Sequence, residues 1–119
     1  MEEEKGFKKL KVWQKAYHFV LSVYKHSQTF PSSELYGLTS QIRRASVSIS
    51  ANIAEGSERK SKKEFLQFIS IARGSLAEVE TYLVLVKDLE YIHEQVFNEL
   101  EEQRKEIGRL LRGLYRSLS

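Results

Sequence analysis

The sequence predicts an all-α protein, a single domain built as an up-down-up-down four-helix bundle. Three observations carry this expectation. Apolar residues recur at spacings of three and four, the signature of one helix face. The segments that do so are long, and short links join them, as in a bundle. No segment alternates polar and apolar residues as a strand would. The 119 residues are enough for one domain and not comfortably for two.

The first helix is expected over residues 10–29, with Trp13, Ala16, Tyr17, Val20 and Tyr24 as its apolar stripe. Phe30-Pro31-Ser32-Ser33 ends it, because a residue before proline avoids helical geometry. The second is expected over 38–55, with Leu38, Ile42, Ala45, Ile49 and Ile53 inward. Gly56 reads as its C-cap, since glycine takes the left-handed conformation without steric cost. Ser61-Lys62-Lys63-Glu64 is a capping box that opens the third helix.

That third helix, 62–89, carries two stripes. Phe65, Ile69, Ala72, Leu76, Val79, Leu83 and Val86 form one, and Phe68, Ile71, Ser75, Tyr82, Leu85 and Leu89 the other. A helix in a monomeric bundle needs only one, so the second predicts self-association. Gly74, mid-helix, costs about 1 kcal/mol against alanine, which predicts a close neighbour there. Tyr91-Ile92-His93 makes the next turn. The fourth helix, 94–117, points Val96, Leu100, Ile107, Leu110, Leu111, Leu114 and Leu118 inward. Residues 1–9 are expected to form a partly disordered tail.

Composition excludes several classes. There is no cysteine, so there is no disulfide and no thiolate chemistry. That fits a cytoplasmic location. The longest strongly apolar run, 82–86, falls far short of the ~20 residues of a spanning helix, so no membrane partner is expected. The charged first residues do not read as a signal peptide. Net charge is +3 with pI near 9.1, mildly basic and compatible with nucleic acid.

The basic residues are the best functional lead. Lys105, Arg109, Arg112 and Arg116 step by four, three and four, nearly opposite the leucine stripe of the last helix. Arg59, Lys60, Lys62 and Lys63 surround the link between the second and third helices. The two groups are expected at one end of the bundle, with Lys8, Lys9, Lys11 and Lys15 at the other. They fit phosphates of RNA or DNA, read through shape or backbone because no base-reading motif accompanies them. The plainer interpretation is a solvated face that also complements a helix C-terminus.

A polar line, Gln41, Arg44, Ser48, Asn52 and Glu55, shares one face of the second helix. It reads first as a hydrogen-bond network within or between subunits. Glu55, near a helix C-terminus, calls for a cation such as Arg44 or Arg73. Tyr17, Tyr24, Phe65, Phe68, Tyr82 and Tyr115 have the chemistry to stack bases, although at helical spacing they read as core or interface. No catalytic residue, metal ligand set or cofactor motif is found. His18, His26 and His93 make no His-x-x-x-His pair, and no nucleophile, base and oxyanion donor converge. The chain therefore reads as non-enzymatic.

Four stretches carry a resemblance. They are Leu10-x-Val12-Trp13-Gln14-Lys15-Ala16, Phe30-Pro31-x-x-Glu34-x-Tyr36-Gly37-Leu38-Thr39-x-Gln41-Ile42-Arg43-Arg44-Ala45, Ser48-Ile49-x-x-Asn52-Ile53-Ala54-Glu55-Gly56-Ser57 and Ala72-Arg73-Gly74-Ser75-Leu76-x-Glu78. Together they resemble the 23S rRNA intervening-sequence protein family, also called the four-helix bundle protein family. The resemblance covers about Phe7 to Leu114. It implies a left-handed bundle assembled as a homopentamer, and a bacterial gene set within or outside a ribosomal RNA insertion. It also implies kinship with retroelement accessory proteins that bind nucleic acid and a reverse transcriptase, an analogy at the level of fold. Ser50 stands where that family often has proline. Two function classes follow, an oligomeric nucleic-acid binder and a protein assembly or adaptor module.

Overall fold

Burial selects one face of each amphipathic segment, and the helices form along those faces. The computed structural model describes residues 6–119. A helical turn, α1 (Gly6–Lys9), precedes α2 (Lys11–Ser27). A 3-10 turn at Ser32–Glu34 leads into α3 (Leu38–Ser57), followed by α4 (Lys62–Asp88) and α5 (Glu94–Leu118). Each long helix packs against its neighbours in the chain, and α5 closes the bundle against α2. The all-α four-helix architecture is as expected.

Phe19, Ile42, Ile49, Ile53, Ile69, Val79, Leu83, Ile107 and Leu111 are fully inside. Each contributes about 1.5–3 kcal/mol of burial. The capping box is present, with the Glu64 amide donating to Ser61 Oγ at 3.1 Å.

Four expectations need correction. The core face of α2 is Val12, Ala16, Phe19 and Val23, so of the expected stripe only Ala16 is fully buried; Tyr17 and Tyr24 are exposed. This helix has apolar residues around more than half its girth, and periodicity alone chose the aromatic ridge. Gly56 is not a C-cap. No described glycine has positive φ, and α3 continues through Gly56 to Ser57. A Cβ on Gly56 would lie 2.7 Å from Phe68 Cβ and 2.9 Å from Phe65 Cδ1, so glycine is needed for close packing on α4.

Gly74, in contrast, faces open space; the close neighbour expected there is absent from the chain itself. Residues 6–9, counted with the tail, form α1, where Phe7 meets Trp13 edge-on at 5.1 Å. Residues 1–5 lie outside the described part.

Glu34 is a structural residue that helix periodicity does not reveal. One carboxylate oxygen accepts from the Leu38 amide at 3.2 Å, at the start of α3. The other accepts from the Tyr91 hydroxyl at 2.8 Å, in the α4–α5 link. That bond holds the Tyr91 phenol above its ordinary pKa.

Candidate functional site

The helix directions decide where the charges gather. Lys15 pairs with Glu106 at 3.7 Å, and Gln103 Nε2 donates to Ser22 Oγ at 3.2 Å. His26 lies 3.5 Å from Glu99. These contacts make α2 and α5 antiparallel, so the start of α2 lies beside the C-terminal half of α5. On α4, Arg73 sits over the Tyr115 ring at 5.6 Å and Lys87 over Phe97 at 4.6 Å, which makes α4 and α5 antiparallel too. The α3–α4 link therefore shares this end.

One expectation is overturned here. Lys8, Lys9, Lys11 and Lys15 lie at the same end as Arg59, Lys60, Lys62 and Lys63 and as Arg109, Arg112 and Arg116. Three chain reversals necessarily return α5 to the end where α2 begins. Glu55, Glu58, Glu64 and Glu106 are the described acids there. Two of them are already paired, Glu55 with Arg59 at 2.6 Å and Glu106 with Lys15. The opposite end gathers Glu34, Asp88, Glu90, Glu94 and Glu99 against Lys25, Arg43 and Lys87. Among the described residues the bundle is thus polar along its axis, strongly basic at one end and weakly acidic at the other.

Among the described residues, Lys60, Lys62, Lys63, Lys105, Arg109, Arg112 and Arg116 are exposed and within ion-pair distance of no carboxylate. Arg59 is less available. Glu55 holds it, and its guanidinium lies 4.9 Å over the Phe68 ring. Lys105 sits above the end proper, in a hollow of about 340 Å³ that it lines with Leu76, Arg104, Gly108, Arg109 and Arg112.

Arg104 is committed elsewhere. It donates to both Glu101 oxygens at 2.5 and 3.0 Å and lies 3.3 Å from Glu80. Its hydrogen bonds hold the Glu101 carboxyl below the usual carboxylate range, against the opposing effect of burial. The site that remains is a crown of flexible, solvated cations over a rigid bundle. Such a surface can neutralise phosphates and has no means of reading bases in a duplex.

The polar line on α3 splits in two. Ser48 Oγ and Ser75 Oγ share a hydrogen bond of 2.9 Å across the α3–α4 seam. Asn52 Nδ2 donates to the Ser48 carbonyl at 2.8 Å and to its hydroxyl at 3.0 Å. The Tyr82 hydroxyl lies 3.3 Å from Gln41 Oε1 and 3.4 Å from Glu78 Oε2. Partial burial, then the adjacent Glu78 charge, raises the Tyr82 phenol pKa. Gln41, Ser48 and Asn52 therefore serve the seam. Arg44 points outward over a hollow of about 420 Å³ with Gln41, Ala45, Ser48, Ser75 and Glu78. Glu55 finds its cation in Arg59, just past the end of its own helix, not in Arg44 or Arg73.

The second stripe on α4 behaves differently from its neighbours. Ser75 is buried and Phe68 and Tyr82 enter the seam, whereas Ile71, Leu85 and Leu89 are exposed. Tyr36, in the α2–α3 link, is 92% exposed. No group of three or more His, Asp or Glu residues among those described is placed to hold a metal ion. No described helix is long and apolar enough to cross a membrane.

The chain is similar to a protein of unknown function from Bacteroides thetaiotaomicron, assigned to the S23 ribosomal protein family, whose crystal structure is solved. The two share 26% identity at a TM-score of 0.81, covering 87% of this chain and 97% of that one. No curated protein matches. The model of the 23S rRNA-intervening sequence protein family matches residues 8–113. That match spans nearly all of the bundle, and the chain belongs to the 23S rRNA-intervening sequence protein family.

Proposed function

We propose that the protein is a non-enzymatic nucleic-acid-binding bundle that holds RNA or DNA phosphates on its basic end. The convergence of three basic clusters on that end, where Glu55 and Glu106 are already paired, carries the reading. Fields from clustered charges add, and they steer a polyanion to one face. Each cation that meets a phosphate releases condensed counterions. Fluorescence anisotropy with a structured RNA and with DNA, from low to high salt, tests this. Affinity is expected to fall linearly on a log–log salt plot with a slope of several units. Salt-independent binding, or none tighter than about 10 µM at physiological salt, removes the proposal.

A second reading has its own observation, the exposed Ile71, Leu85 and Leu89 on α4. Leu85 and Leu89 are one helical turn apart and make an exposed apolar spot, with Ile71 about 21 Å further along α4. Exposed apolar surface of this kind suits a protein contact, and another copy of the chain is the simplest occupant. We place the pentamer implied by family resemblance here, together with assembly on a protein partner. Light scattering is expected to give a mass several times the 13.9 kDa of one chain. Leu85→Lys with Leu89→Lys is expected to return it to one chain. A single-chain mass at micromolar concentration removes self-association and leaves the basic-end proposal standing. If five chains do assemble side by side in parallel, five basic ends form one ring and its attraction for phosphate rises accordingly.

A further inference from the structure

Resting on the basic-end reading, we propose that the ligand is single-stranded nucleic acid whose unpaired bases stack on Tyr17. Aromatic rings run up the flank of the bundle from the basic end. Phe7 of α1 meets Trp13 edge-on, and Trp13 stacks on Tyr17 at 5.2 Å with the planes 17° apart. The His18 ring meets Tyr17 edge-on at 5.9 Å. Phe7 and Trp13 are half-buried, and Trp13 leans on the core. Tyr17 is 44% exposed, the accessible end of an ordered stack.

The Tyr17 hydroxyl has no hydrogen-bond partner among the described residues, whereas Tyr82 and Tyr91 spend theirs on carboxylates. Trp13 and His18 hold the ring in place, and its hydroxyl and uncovered surface face solvent.

Lysines neighbour the foot of the stack in the chain. Lys8 and Lys9 lie on α1, which Gln14 pins by donating to the Lys8 carbonyl at 2.8 Å. Lys11 opens α2 one turn before Tyr17's own turn begins. Interleaved cations and aromatic rings are the combination that holds a single strand, the cations tracking phosphates and the rings taking bases. A duplex keeps its bases paired inside and gains only the first half of that interaction. The cost of leaving a tyrosine ring in water is offset when a base covers it.

Trp13 is the sole tryptophan of the chain, so its emission reports on this site alone. The full-length protein is titrated with oligo(dT) and oligo(U) single strands and with a blunt duplex of equal length, following anisotropy and Trp13 emission. Single strands are expected to bind more tightly than duplex and to change the emission. Tyr17→Ala is expected to weaken single-strand binding by about five- to a hundred-fold, with duplex affinity and helicity unchanged. Tyr17→Phe, which keeps the ring, is expected to retain wild-type affinity. Equal affinity for single strand and duplex, with Tyr17→Ala without effect, overturns this inference and leaves the basic end as the site. A lower oligomer mass in Tyr17→Ala with unchanged affinity also overturns it, making the ring a seam between copies. No binding of any of the probes removes the basic-end reading and this one with it.

Discussion

Replacing Arg109→Glu, Arg112→Glu and Arg116→Glu together is expected to abolish nucleic-acid binding at physiological salt while the helical signal stays intact. All three side chains are exposed on α5, away from its buried face of Leu100, Ile107 and Leu111. Their loss from a phosphate-binding surface removes three counterion-releasing contacts. The salt slope should then drop by about 2.7 on duplex, or about 2 on a single strand. Three new negative charges add repulsion on top, so affinity falls further than neutral replacements would make it fall. Arg116→Glu also opposes the α5 dipole at its C-terminus, a cost of about 0.3–1 kcal/mol, too little to unfold the bundle. A glutamine triple variant separates lost attraction from added repulsion. Wild-type affinity and slope in the glutamate variant would place the ligand elsewhere.

The second large effect is on stability. Gly56→Val is expected to destabilise the protein by about 3 kcal/mol, the upper part of the range for overpacking a core. The reason is that the nearest obstacle, Phe68 Cβ at 2.7 Å, is fixed to the α4 backbone and cannot rotate away. Phe65 closes the same space at 2.9 Å. The Gly74→Ala variant should behave oppositely. Its Cβ meets nothing, and alanine gains up to about 1 kcal/mol of helix propensity there. Urea midpoints of both variants, at matched protein concentration because self-association shifts apparent stability, check the contrast. If Gly56→Val unfolds with the wild type, α3 and α4 are not in the close contact described above.

Local signals carried much of the fold. Ile42, Ile49 and Ile53 on α3 and Val79 and Leu83 on α4 are buried as their spacing requires. Ser61 and Glu64 cap α4 because their chemistry depends only on three neighbouring residues. The failures came where tertiary context competes with a local rule. Gly56 sits where glycine usually ends a helix, yet its role is set by two phenylalanines on another helix.

Gln41, Arg44, Ser48, Asn52 and Glu55 share a face in sequence, but at roughly 100° per residue they fan across about 80°. Gln41 and Ser48 reach α4, Asn52 braces Ser48 from the same helix, and Arg44 and Glu55 lie toward solvent. On α2 the apolar residues outnumber what one face can bury, and no periodicity rule says which ridge turns inward. The basic residues are all legible, and their grouping at one end is not what is expected from the sequence for Lys8, Lys9, Lys11 and Lys15. An even number of helices brings the first and last termini to the same side, a topological fact independent of side chains.

Glu34 ties together two connections that are far apart in the chain. Because a single carboxylate serves both, opening either connection strips the other of a partner. The acidic tip should therefore yield all at once, as a latch does. Across the bundle, Lys60, Lys62 and Lys63 are in no ion pair among the described residues, so they can adapt to a ligand without loosening the helices beneath.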